Sequence, residues 1–214
     1  MKSFCLALAA LACGASLSSA AFAVEPPGAP IAKAFPYLSD YLTMPAAQRD
    51  RFRLVYFIRG KDKKPTPKIE LVKNGTTTPV RLGPNGRVVD LPDLAMLRSD
   101  ARFVATPKGQ ASIGMRVEPV LPRATSLDAA IARESVAETT AAIKKYAGML
   151  GFAVPTIKGI AFEGAGGGRA VFADGSKIAL KSVGKAVVYL SNDATMKKAV
   201  RIELDRAPEA LDFH

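Results

Sequence analysis

The 214-residue chain carries 30 Lys and Arg against 19 Asp and Glu, one histidine, two cysteines and no tryptophan. The one histidine, His214, excludes triads that use histidine as base and metal centres built on histidine. Cys5 and Cys13 both fall in a leader expected to be removed, so the mature chain is expected to hold no disulfide, thiol nucleophile or thiolate metal site.

Lys2 precedes an apolar run from Phe4 to about Leu17, and small residues follow up to Ala21-Phe22-Ala23. This pattern predicts a secretory signal peptide over 1–23, cut between Ala23 and Val24. The run is too short to span a membrane, and no other stretch is long enough. A cut before Cys13 with lipidation there is the alternative, but Ala10-Leu11-Ala12 lacks the leucine usual three residues before such a cysteine. The expected location is periplasmic or secreted.

Residues 24–48 read as a linker with short helical segments. Glu25-Pro26-Pro27-Gly28-Ala29-Pro30 is extended, 35–42 suits a helical turn, and Pro45 suits the first position of a short helix. Residues 49–123 read as a basic, sandwich-like β region. They hold 16 Lys and Arg against 7 Asp and Glu, a net of +9, whereas 124–214 hold 12 against 10. Phe52, Leu54, Tyr56 and Ile58 alternate along the clearest strand, 51–59. Asn74-Gly75 predicts a hairpin, because both central positions of a type I′ turn need positive φ. Gly83-Pro84-Asn85-Gly86 marks another turn. Strands are expected at 69–73, 76–82, 87–91, 102–106 and 111–118, the last with Ala111, Ile113, Met115 and Val117 on one face. Such short strands with turn signals between them suggest a β-sandwich.

Residues 124–214 read as one long helix followed by an antiparallel β-meander packed on it, giving an α+β, β-rich chain. The helix is expected from Thr125 to Gly151. Thr125 and Asp128 suit a capping box, and Gly151 suits the left-handed cap. Ala132, Ser135, Val136, Thr139, Ala142, Ile143, Tyr146, Met149 and Leu150 share its apolar face; Arg133, Glu134, Glu138, Lys144 and Lys145 share the other. Strands are expected at 157–163, 169–173, 177–182, 186–191 and 200–205, with a turn at Asp174-Gly175 and a loosely held tail over 207–214.

No catalytic, cofactor or metal signature is expected. Glu134 and Glu138 lie one helical turn apart but read as a solvated face. Gly164-Ala165-Gly166-Gly167-Gly168 joins two strands with no Lys-Ser/Thr pair, unlike a phosphate-binding loop. Ser182-Val183-Gly184-Lys185 has a Ser-x-x-Lys spacing, but across a hairpin turn rather than along a helix. The candidate anion-binding set is Arg51, Arg53, Arg59, Lys61, Lys63, Lys64 and Lys68. Long cations beside aromatic residues suit lipid head groups or cell-wall polymers. Nucleic acid gains little support, for want of an RNA-binding aromatic motif or a recognition-helix pattern. The oligomeric state is left open.

Leu54-Val55-Tyr56-Phe57, Leu91-Pro92-Asp93-Leu94, the stretch 112–118, Tyr146-Ala147-Gly148-Met149-Leu150, Pro155 and Gly159-Ile160-Ala161-Phe162 carry a resemblance over about 50–165. In their order and spacing the chain resembles a family of secreted proteobacterial proteins catalogued as a domain of unknown function. The resemblance implies a periplasmic setting and no assigned activity. Non-enzymatic binding or scaffolding of anionic envelope components through the basic β region is the leading expectation. The alternatives are a hydrolase using carboxylates alone and a small-ligand carrier with a groove between the two β units.

Overall fold

The computed structural model describes residues 28–63, 65–108, 110–146 and 156–214, and all its strand pairs there are antiparallel. The N-terminal half runs β1 (Ala29–Pro30), α1 (Ile31–Ala34), α2 (Leu38–Thr43), β2 (Phe52–Gly60), β3 (Lys68–Lys73), β4 (Thr76–Pro79), α3 (Leu94–Leu97), β5 (Arg102–Thr106) and β6 (Ala111–Pro119). Four of these strands form a sheet in the order β1-β5-β3-β4, and β2 pairs with β6 as a separate ribbon from Phe52↔Pro119 to Gly60↔Ala111.

The alternation in β2 sets what lies under the ribbon. Phe52, Leu54, Tyr56 and Ile58 are all buried, so one face of the strand is continuous core. Ile31, Phe35, Leu38, Ile69, Leu97 and Phe103 pack with Leu54, Tyr56 and Ile58. The Phe35 ring meets Tyr56 edge-on at 5.1 Å and Phe103 at 6.1 Å. Burying each such ring stabilises by about 1.5–3 kcal/mol over leaving it exposed. The Tyr56 hydroxyl donates to the Pro36 carbonyl, and burial raises the pKa of its phenol. Ile31, Phe35 and Leu38 come from the stretch expected to be a linker with short helices; they are part of this core instead. Asn74 and Gly75 both adopt positive φ at the β3–β4 turn, as a type I′ hairpin requires. Of the apolar set expected to share a face of β6, Met115 is exposed while Ala111, Ile113 and Val117 are partly buried.

The C-terminal half runs β7 (Ser126–Asp128), α4 (Ala129–Tyr146), β8 (Ile160–Glu163), β9 (Gly168–Val171), β10 (Lys177–Ala179), β11 (Lys181–Val183), β12 (Ala186–Tyr189), β13 (Arg201–Leu204) and β14 (Ala210–Phe213). Its two sheets have the orders β10-β9-β13-β7 and β11-β12-β8-β14. Consecutive hairpins account for β9–β10 and β11–β12 only, whereas β7, β8, β13 and β14 pair with strands distant in sequence.

Three expectations are corrected here. The helix begins at Ala129, not Thr125, because Ser126–Asp128 pair with β13 and Thr125 O accepts from Leu204 N. The Asp128 carboxylate caps the helix by accepting from Ala130 N at 2.6 Å. The tail expected to be loose is β14, paired with β8 from Ala210↔Glu163 to Phe213↔Ile160. The strand expected over 177–182 divides at Leu180, whose buried side chain separates β10 from β11. Met149 and Leu150 of the expected apolar face and Gly151, the expected helix cap, lie outside the described residues.

Ala129, Ala132 and Val136 of α4 pack with Phe162, Ala170, Tyr189 and Ile202 of the two sheets. Small residues along this face let the helix lie close to them. The face then reaches the other half: Ser135 is fully buried and its hydroxyl donates to Arg51 O at 3.0 Å. Ala142 packs with Met44 and Phe52, and Tyr146, Val117 and Phe213 close over them. Two main cores therefore meet through a small third cluster, with α4 and β14 at the junction.

Candidate anion-binding face

The other face of the β2–β6 ribbon carries the charged positions between, with Val55 buried and Phe57 half-buried among them. Cross-strand register places Arg53 opposite Glu118, Val55 opposite Arg116, Phe57 opposite Gly114 and Arg59 opposite Ser112. Gly114 offers no side chain beside Phe57, and a Cβ there would meet nothing within 4 Å. Two guanidiniums use the open ring. Arg116 lies with its Cζ 5.3 Å from the Phe57 centroid and Arg59 with its Cζ 5.7 Å. Each such contact is worth about 0.5–1 kcal/mol at an exposed site.

Next to this stack a buried carboxylate is held by two arginines. Glu118 is 7 % exposed. Arg87 donates to both of its oxygens, Nη1 to Oε1 at 3.0 Å and Nη2 to Oε2 at 3.1 Å. Arg53 Nε donates to Oε2 at 3.2 Å. Arg87 reaches the ribbon through a bridge of Arg87 with Phe57. At the ribbon's border with β14, Arg116 Nη1 donates to Asp212 Oδ2 at 3.0 Å. Burial pushes the Asp212 carboxyl above its ordinary pKa; Arg116 opposes that, and Glu163 and Glu118 add to it. Four arginines, Arg53, Arg59, Arg87 and Arg116, thus stand beside two carboxylates, Glu118 and Asp212, with a third, Glu163, close enough to act on Asp212, leaving one positive charge in excess.

The structure divides the predicted set. Arg51 faces α4, with Nη2 3.4 Å from Glu134 and Nε 3.8 Å from Glu138, so both the arginine and that carboxylate pair serve the junction. Arg53 is occupied by Glu118. Lys68 begins β3, in a different sheet, with its Nζ 2.6 Å from Glu70. Arg59 donates Nε only to a carbonyl, that of Asn85 at 3.3 Å, and Lys61 is exposed; among the described residues neither has a carboxylate within ion-pair distance. Lys61 and Lys63 bound the short helical turn after β2. Lys64, Ala23 and Val24 lie outside the described residues.

Phe57, Arg87 and Arg116 join the site unannounced by sequence. Their signal is cross-strand register, which depends on which strand β2 chooses as partner. Chemically, a guanidinium stacked on a ring presents its remaining N–H donors edge-on, the geometry that grips phosphate or carboxylate oxygens in pairs. Among the described residues no group of three or more His, Cys, Asp or Glu is arranged to hold a metal ion, and no helix is long and apolar enough to cross a membrane.

A scan against protein-family models, a search of curated proteins and a search of solved structures each returned no match to this chain.

Proposed function

We propose that this is a non-enzymatic periplasmic protein that binds anionic envelope components, lipid head groups or cell-wall polymers, through the β2–β6 ribbon. The stack of Arg59, Phe57 and Arg116 carries this reading. It sets two exposed guanidiniums, one from each strand of the ribbon, around one ring, beside Lys61 at the end of β2, with more positive than negative charge around them. The signal-peptide pattern supplies the setting. The sandwich-like character of 49–123 belongs to the same reading.

Co-sedimentation of the protein with anionic vesicles and, separately, with cell-wall sacculi tests it, at low and at physiological salt. Binding to one surface that weakens steeply with salt is the expected outcome. Arg59→Glu with Lys61→Glu is expected to lower it at least tenfold, while Lys68→Glu leaves it within twofold. Retention by neither surface at low salt, or retention indifferent to the double reversal, sinks the reading.

A carboxylate-only hydrolase is the second reading, favoured by one observation. Asp212 is a partly buried acid with a raised pKa, and the Glu163 and Glu118 carboxylates act on it. Chromogenic ester and glycoside substrates, assayed from acid to neutral pH with Asp212→Asn as control, decide it; turnover unaffected by that substitution removes it.

A further inference from the structure

Two stretches that the sequence singles out separately, the glycine run at 164–168 and Ser182-Val183-Gly184-Lys185, meet at one cleft in the C-terminal half. The cleft is open to solvent, with its four charged residues exposed, and has a volume of about 460 Å³, within the range of roughly 300–1,000 Å³ usual for small-ligand sites. Its walls carry two acids, Glu163 and Glu209, and two bases, Lys185 and Arg206. Among the described residues none of these four forms an ion pair. The contrast with their neighbours is sharp. Glu203 alone meets Arg169, Lys177 and Arg201. Charges on the adjoining strand are thus paired, and those lining the cleft are not.

The backbone is shaped to hold the opening. Gly164 and Gly166 have φ of +74° and +81°, values that favour glycine. A Cβ on Gly164 would lie 2.8 Å from the Glu209 side chain, and one on Gly166 would lie 3.4 Å from Arg206 Nε. Arg206 Nε donates to Gly164 O at 2.6 Å, which fixes the guanidinium along the loop. Glu209 N donates to Glu163 O at 2.9 Å, which sets the two acids side by side in the chain trace.

We propose that this cleft binds a small zwitterion of about dipeptide size. Its carboxylate goes to Lys185 and Arg206, and its ammonium goes to Glu163 and Glu209. A simple anion would meet the two carboxylates, and a simple cation would meet the two bases; a ligand carrying both charges satisfies all four. Glu163 borders the β2–β6 ribbon as well, since its charge acts on Asp212; Lys185, Arg206 and Glu209 belong to the cleft and not to that ribbon.

Nuclear magnetic resonance titration of the ¹⁵N-labelled protein with Ala-Ala, N-acetyl-Ala-Ala and Ala-Ala-amide tests this. Ala-Ala is expected to shift the amides of Gly164, Gly166 and Lys185, and blocking either end is expected to weaken binding at least tenfold. Lys185→Glu should abolish the shifts and Lys185→Arg should keep them, because Lys185 sits on an exposed hairpin and neither change disturbs the core. Arg59→Glu should leave them unaltered, which separates this site from the ribbon. Cleft amides unmoved by millimolar Ala-Ala, or moved equally by the blocked peptides, would overturn the proposal.

Discussion

Arg87 meets Glu118 through two parallel hydrogen bonds, 3.0 and 3.1 Å long, across 31 residues of sequence. Both oxygens of a buried carboxylate are satisfied by one planar guanidinium. Removing that arginine leaves a buried charge with only Arg53, which reaches a single oxygen. Arg87→Ala is therefore expected to lower stability by about 2 kcal/mol, the scale of hydrogen bonds to charged groups. Arg53→Ala, at a more exposed side chain, should cost about half that. Urea denaturation of both variants checks the order; a larger loss at Arg53 would contradict it.

Asp212 behaves in the opposite sense to a carboxylate stabilised by its partner. Its folded pKa is raised, chiefly by burial, so the folded state holds the proton more tightly than the unfolded chain does. The stability it contributes is full below the unfolded pKa and lost as pH rises through the folded one. Asp212→Asn imitates the protonated form. It is expected to raise the melting temperature at pH 7, with the gain shrinking to nothing in acid below the unfolded pKa. Losing the bond to Arg116 offsets little of this, since that arginine is half exposed. Melting curves of both proteins across pH read the sign directly.

Thr139 and Ser135 lie one turn apart on the buried face of α4 with different fates. The Ser135 hydroxyl has Arg51 O; the Thr139 Oγ1 is buried with no hydrogen-bond partner among the described residues. Thr139→Val keeps the shape and removes the orphan hydroxyl, so it is expected to stabilise by about 1 kcal/mol. Ser135→Leu forces extra carbons between α4 and β2 and is expected to cost about 1–3 kcal/mol. Thermal unfolding distinguishes them; a destabilising Thr139→Val would show that the hydroxyl is satisfied.

The features legible in the sequence were those that a short window contains. Phe52 to Ile58 announced a half-buried strand, Asn74-Gly75 a hairpin, and Ala132 to Ala142 a helix face. What stayed hidden was set by partners far along the chain. Thr125 to Asp128 fits a capping box as well as a strand, and only the pairing of Ser126–Asp128 with β13 decides between them. Ile31, Phe35 and Leu38 stand at i, i+4 and i+7, the spacing of a helix face, but the sequence does not show that this face plugs the core under Tyr56. Of the candidate cations, sequence could count the charges on β2 but not see that Glu118, 65 residues beyond Arg53, consumes one of them.

The final strand offers the sharpest test of that dependence on distant pairing. Nothing in Ala207-Pro208-Glu209-Ala210-Leu211-Asp212-Phe213 marks a strand strongly, and β14 is only four residues long. Their value lies in what they cover. Leu211 is buried opposite Phe162 in the C-terminal core, and Phe213 packs into both that core and the junction cluster with Phe52 and Ala142. Leu211→Ala should therefore cost about 2–4 kcal/mol, as a core truncation does rather than a tail substitution. Phe213→Ala should loosen the junction as well, raising proteolysis near the start of β2 together with the C-terminal half. Denaturation midpoints and limited proteolysis check both; losses below about 0.5 kcal/mol for Leu211→Ala, the ordinary range of surface changes, would return β14 to the status of a tail.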